Sequence, residues 1–405
     1  MEIVYLIVSI FVFYRFFLTK RHFDFLTIGF ISQQLYFSPC LAQIFINSDS
    51  IYLYEVHWGV YLSGTILVLL FFIFSIGINY KQRDIKSLGL GFEYHALYAT
   101  ILGLFSFIIS YIQVGTVLFN AEKSQVLNAI DRFYIVWSIS SLYGLSASFL
   151  NNKKILLYIN IILILLTVYI GFRSIAAVGV ICVLVLSFVS KGDKVNLIAS
   201  HYKKIIIGFF AGIFFLVYKG LYIAIKFQNY DLVFLRLLDR DFYLSVIINA
   251  EPFGIQKIFS DVLQQKYFIG LDNFDRFFLL FTLFGDQFGV DTRSFNEYFQ
   301  PDLYGDVGYG VGSNVWAHMY SSGGWLLLLI FSIIYVLSLR WLSKSIYSVN
   351  KYYLPLLICL GAYWSFYIHR NDLFYQLGLE RRVLIIFLLV SVLSLATNRI
   401  RKIRK

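Results

Sequence analysis

Charge is what this chain has least of. Charged residues make up 14% of its 405 residues, against roughly 25% in soluble domains, and mean hydropathy is +0.73. That deficit excludes a water-soluble globular protein. The net charge of +11 does not signal nucleic acid, because no basic cluster interleaved with aromatics stands on a polar domain. Cysteine is also scarce: Cys40, Cys182 and Cys359 lie far apart inside apolar stretches. They form no disulfide framework and read as small core hydrophobes. No His/Cys/Asp cluster has metal-ligand spacing, and no Walker loop or GxGxxG motif opens a nucleotide domain, so neither metal nor cofactor is expected. A cleavable leader is not expected either, because the first apolar stretch is too long, lacks a small-residue cleavage site and reads as a first span.

What is present is a series of apolar runs of about 20 residues, the length that crosses a bilayer as a helix. They fall near 2–19, 23–46, 56–79, 92–115, 131–150, 153–171, 173–190, 204–224, 323–340, 352–369 and 382–398. The expectation is an all-α integral membrane protein, one polytopic domain of residues 1–405 with about eleven transmembrane helices. One large external loop, 225–321, interrupts the series. Irregular backbone is not tolerated against lipid, so such an insert sits outside the hydrocarbon or lines a cavity. Within it, 231–250 and 254–268 have helical spacing with an apolar face and suit the interface plane. The apolar run in 273–289 is too short to span and suits a re-entrant or capping piece.

Lys and Arg crowd the connections at 15–21, 81–86, 153–154, 191–204 and 340–351 and the tail at 399–405, whereas 47–56 holds none. By the positive-inside rule the C-terminus is cytoplasmic, and eleven spans put the N-terminus outside. The loop 225–321, the tight turn GFRS at 171–174 and the segment 367–382 then face outward. Arginines on that side run against the topological preference: Arg173, Arg236, Arg240, Arg276, Arg293, Arg370, Arg381 and Arg382. Guanidinium binds phosphate oxygens bidentately and stays protonated. Arg173 reads either as an anion ligand at membrane depth or as a snorkelling side chain. Arg370 reads as a second such ligand or as the partner of Asp372 in a local ion pair. The stretch 285–324 adds glycines that admit close backbone approach, with carboxylates and His318 as acid/base groups. Its bland alternative is a solvated loop that needs turn residues.

Several of these features together resemble the oligosaccharide repeat-unit polymerases of the O-antigen and capsule (Wzy) type. The resemblance rests on the long late external loop, on Gly171–Phe172–Arg173 at an outer span boundary, and on Gly312–Ser313–Asn314 through Tyr320–Ser321–Ser322–Gly323–Gly324. Many relatives carry a Glu shortly before the Tyr–x–x–Gly element, where this chain has Ala317–His318–Met319–Tyr320. The resemblance implies a GT-C-like, metal-independent membrane glycosyltransferase of the bacterial inner membrane. Its substrate would be an undecaprenyl-pyrophosphate-linked oligosaccharide in the outer leaflet, its surroundings membrane lipids, and a chain-length regulator its protein partner in O-antigen or capsule polysaccharide synthesis. Arg173, Arg293, Arg370 and Tyr320 would bind pyrophosphate and glycan; His318 leads the base candidates, with Glu297 and Asp306 behind it. Two readings stay open beside it: an O-antigen ligase, which shares these features, and a lipid-linked oligosaccharide flippase or transporter, which would show internal repeats and broken midplane helices.

Overall fold

The computed structural model describes residues 1–39, 55–78, 80, 92–120, 125–126, 129–190, 194–248, 250–271, 274, 293–305 and 312–403. These are helical almost throughout; the one β pairing among them is a bridge between Arg21 and Val195. In order, the helices of nine or more residues are α1 (Glu2–Phe13), α2 (Phe25–Phe37), α3 (Trp58–Ser75), α4 (Phe92–Val114), α5 (Arg132–Leu150), α6 (Lys154–Ile170), α7 (Ser174–Val189) and α8 (Leu197–Lys226). Then follow α9 (Tyr230–Leu238), α10 (Arg240–Ile248), α11 (Glu251–Gln264), α12 (Phe295–Tyr304), α13 (Val315–Ser348), α14 (Leu354–Ala362) and α15 (Leu373–Ile403).

Five described helices are long and apolar enough to cross a membrane: α3, α4, α5, α13 and most of α15. The other expected spans take different forms. Helices α6 and α7 are apolar but only 17 and 16 residues long. The first run is α1 followed by a π-turn at Tyr14–Leu18. The run 352–369 is α14, a π-turn at Tyr363–Tyr367 and a 3₁₀ turn at Ile368–Arg370. Part of 23–46 lies outside the described residues.

The packing is that of a bundle facing lipid. Apolar side chains point outward, including Ile7, Phe11, Ile155, Leu165, Leu326 and Val392; a soluble protein rarely exposes so much contiguous apolar surface. The interior holds hydroxyls and amides instead. On α5, Ser138, Ser140, Ser141, Ser146 and Ser148 are all buried, and the Asn160 amide of α6 donates to Thr100 Oγ1 of α4 at 2.7 Å. Small and polar residues let helices approach closely where lipid offers no hydrophobic driving force. Gly144 is such a position, since a Cβ there would stand 2.6 Å from Asn160 Oδ1.

The insert 225–321 is mostly helical where it is described, and one expectation for it changes. Helix α9 has no buried residue, which suits the interface plane. Helix α11 does not lie there. Phe253, Ile255, Ile258, Phe259 and Val262 are buried against α2, α3 and α13, and Gln256 donates to Phe37 O at 2.8 Å. Its apolar face finds protein rather than lipid. The run 273–289 lies almost wholly outside the described residues. The glycine pair at Gly323–Gly324 breaks α13, with φ of −157° and +64°, and Ile269 N–H donates to Ser321 O beside the break at 2.9 Å. A short helix of the insert, 315–322, thereby meets the membrane helix that follows.

Candidate functional site

The GFRS turn is a local necessity. Gly171 closes α6 at φ +113°, a conformation glycine adopts without strain. Its N–H donates to Val168 O and that of Phe172 to Thr167 O, both at 2.9 Å. This pair of bonds is a Schellman stop. Arg173 then stands at the N-cap of α7, with Phe172 packed on Tyr134 at 5.1 Å between ring centroids. The chain reverses in three residues, 171–173, and leaves a half-buried guanidinium at the junction.

The segment around Arg370 is set by tertiary contacts. The π and 3₁₀ turns after α14 present His369 inward and Arg370 toward the insert. His369 is fully buried; its Nδ1 accepts from Trp316 Nε1 at 2.9 Å, and Tyr36 of α2 stacks on its ring at 5.6 Å. Arg370 lies over the Tyr367 ring, 4.7 Å from its centroid. Its carboxylate partner is Glu251 at the start of α11, 119 residues away, with Nη1 2.8 Å from Oε2 and 2.6 Å from Oε1. The local pair of Arg370 with Asp372 is therefore not the one formed. Asp372 Oδ1 accepts the Tyr375 N–H at 2.8 Å, so a helix start claims the nearby carboxylate and leaves Arg370 for a distant one.

Glu251 joins this arginine to the turn. Arg173 is electrostatically coupled to Glu251 and Arg370, and to Tyr218 and Tyr222 of α8. Lys219, also on α8, is coupled to Glu251, Arg173 and Arg370. Three cations thus share the field of one carboxylate, with Arg370 in direct contact with it. Burial lowers the Arg173 guanidinium from its ordinary value, Glu251 opposes that shift and Arg370 adds to it. For Arg370 burial also works against the charge, but Tyr367 and Glu251 outweigh it and hold the group above its ordinary value. Arg370 Nε has no hydrogen-bond partner among the described residues. A cluster with excess positive charge and an N–H unmet among the described residues has the chemistry to bind an anion.

The remaining candidates are dispersed. His318 is buried and stacked on Phe295 at 5.1 Å, with Phe374 at 5.4 Å. Its Nδ1 accepts the Leu373 N–H at 3.3 Å, so the ring ties the start of α13 to the start of α15, three residues beyond Arg370. Glu297 is exposed and closes a capping box with Ser294 on α12. Arg293 is exposed and covers the Tyr298 ring at 4.4 Å. Tyr320 is buried between Trp325 and Phe268, at 5.4 and 5.3 Å. Arg236 donates to Gly220 O at 2.7 Å and pins α9 to α8. Asp306 and Arg276 lie outside the described residues.

Of the predicted anion ligands, then, Arg173 and Arg370 come together, and Arg293 sits elsewhere on the insert. Sequence reasoning missed Lys219 and Glu251. Lys219 carried a usable signal, an ionisable residue inside the apolar run 204–224. Glu251 carried none, because its partner is set by how α11 docks. Among the described residues no group of His, Cys, Asp and Glu could hold a metal ion. Comparison with protein-family models, with curated proteins and with solved structures finds no match.

Proposed function

We propose that this chain is a membrane glycosyltransferase, a GT-C-like polymerase of the O-antigen or capsule type. It transfers a growing glycan from undecaprenyl pyrophosphate onto the next lipid-linked repeat unit. The observation that carries the reading is the gathering of Arg173, Lys219 and Arg370 around the single carboxylate of Glu251. A diphosphate leaving group needs such a site, where preorganised cations meet the charge that develops as the bond breaks.

The chemistry follows from these groups. The diphosphate displaces Glu251 from Arg370 and is held by the two guanidiniums and Lys219. A hydroxyl oxygen of the acceptor sugar bonds to the anomeric carbon while the bond from that carbon to the diphosphate oxygen breaks. The hydroxyl proton passes to the freed Glu251 carboxylate, and lipid diphosphate departs. The buried tyrosines Tyr36 and Tyr367 line the cation side and limit water, whose attack would be hydrolysis. Glu251 replaces Glu297 as the carboxylate in the base role, because Glu297 is committed to a helix cap. His318 serves as a positioning residue through Leu373.

The test is the lipid-linked glycan profile of cells lacking the protein. The expected result is accumulation of single repeats on the outer leaflet, with the ladder restored by the wild-type chain and not by Arg173→Ala. Long chains left on the carrier but absent from the core would assign the ligase activity instead. Repeats retained on the inner leaflet would assign a flippase.

A further inference from the structure

A second basic site lies at the opposite end of the bundle and has no part in the chemistry above. A cavity of about 280 Å³ is lined by Arg15, Lys20, Arg21, Lys194, Asp24 and Tyr80, among others. It is small for a ligand pocket, which suits a headgroup or a small ion rather than a glycan. Helix α7 separates it from Arg173. Arg173 precedes the first residue of α7, Lys194 lies five residues beyond the last, and the 16 residues of helix between them span about 24 Å.

The cavity is built rather than incidental. The Arg21 backbone is fixed by reciprocal hydrogen bonds with Val195, at 3.1 and 2.9 Å, and Asn196 Nδ2 donates to Leu18 O at 2.7 Å. These contacts bring the end of the first helical segment against the chain leading into α8. Asp24 is fully buried and its carboxylate is saturated. It accepts from Arg21 Nη2 at 2.8 Å, Tyr80 Oη at 2.8 Å, and both Thr27 N and Thr27 Oγ1 at 2.9 and 2.8 Å. Among the described lining residues one carboxylate, Asp24, faces Arg15, Lys20, Arg21 and Lys194. Arg21 is 9% exposed and lies over the Phe16 ring at 4.0 Å, yet its Nη1 has no hydrogen-bond partner among the described residues. The same holds for Arg15 Nε. A buried guanidinium N–H left unmet costs free energy that a ligand oxygen would recover.

The geometry points to a phosphate-binding site here, formed by Arg15, Lys20 and Arg21 with Lys194 at its rim. The Lys/Arg distribution reads this face as cytoplasmic, where anionic lipid headgroups and free phosphates are both at hand. The shared chemistry is a phosphate oxygen meeting a guanidinium fork.

The test measures thermal unfolding of the purified full chain in neutral detergent, in both the wild type and an Arg173→Gln background, which removes an anion ligand at the other end. The probes are inorganic phosphate, dioctanoyl phosphatidylglycerol and dioctanoyl phosphatidylcholine, with sodium chloride at matched ionic strength. Phosphatidylglycerol is expected to raise Tm in both backgrounds. The double variant Arg15→Gln/Lys20→Gln leaves the Asp24 network intact and should weaken apparent affinity by about tenfold. If inorganic phosphate acts equally well, the ligand is the phosphate group; if only phosphatidylglycerol acts, it is a lipid headgroup. Equal stabilisation by chloride, no stabilisation by either phosphate probe, or full stabilisation of the double variant would each overturn the site.

Discussion

Neutralising Arg173 separates a functional charge from a structural one. From the charged groups around it Arg173 feels attraction from Glu251 and like-charge repulsion from Arg370, and it in turn opposes the charge on Lys219. Arg173→Gln removes all three effects, which offset one another, so its stability cost should stay within about 0.5 kcal/mol. Glu251→Gln is different, since it leaves three cations without their carboxylate. The Arg370–Glu251 pair has side chains 30% and 37% exposed, between the exposed pairs worth about 0–1 kcal/mol and the buried ones whose disruption costs about 3–5 kcal/mol. A loss of about 1–2 kcal/mol is expected. Adding Arg173→Gln to Glu251→Gln should recover part of it, because one of the unbalanced charges is gone. The assay is thermal unfolding in detergent, in which 1 kcal/mol moves Tm by roughly 2–4 °C, beside glycan chain length at matched membrane abundance. Arg173→Gln should keep its Tm and lose on the order of 10²–10³ in rate. If Arg173→Gln destabilises as much as Glu251→Gln, or if the two losses simply add, the cluster is a structural ion network and the anion-site argument fails.

Three further outcomes follow from particular contacts. Arg173→Lys should abolish long chains, because an ammonium lacks the guanidinium fork, whereas Arg370→Lys should retain partial activity, because a point charge there still serves both Glu251 and the incoming diphosphate; identical chain-length profiles for the two would contradict these roles. Gly361→Ala would place a Cβ 2.2 Å from the Phe25 ring, and overpacking at that buried contact should cost about 1–3 kcal/mol, read as a lower Tm; an unchanged Tm would mean α14 and α2 separate freely. A reporter active only outside the cytoplasm should work when fused after Phe299 and fail after Lys194, and the reverse pattern would invert the orientation and move both sites to the other side.

The membrane character, the helical segments and the GFRS reversal were legible in the sequence, because each is set by neighbours along the chain. Twenty or so apolar residues satisfy their own backbone as a helix in any apolar surroundings, and Gly171 can hold φ +113° whatever packs around it. Hydropathy also has a blind spot. It reads 352–369 as one span, whereas the chain there passes through α, π and 3₁₀ turns that rotate His369 inward and Arg370 toward the insert. What only the tertiary structure decided is which charges meet. Asp372 looked like the partner of Arg370 by proximity, but the N-terminus of α15 takes it, and the docking of α11 on α2, α3 and α13 delivers Glu251 from 119 residues away. The same docking buries an amphipathic helix that, read alone, belongs at the membrane surface. His318 led the base candidates with Glu297 behind it, until packing placed one among phenylalanines and the other in a helix cap. A side chain's chemistry is written at its own position, but its availability depends on what the fold brings against it.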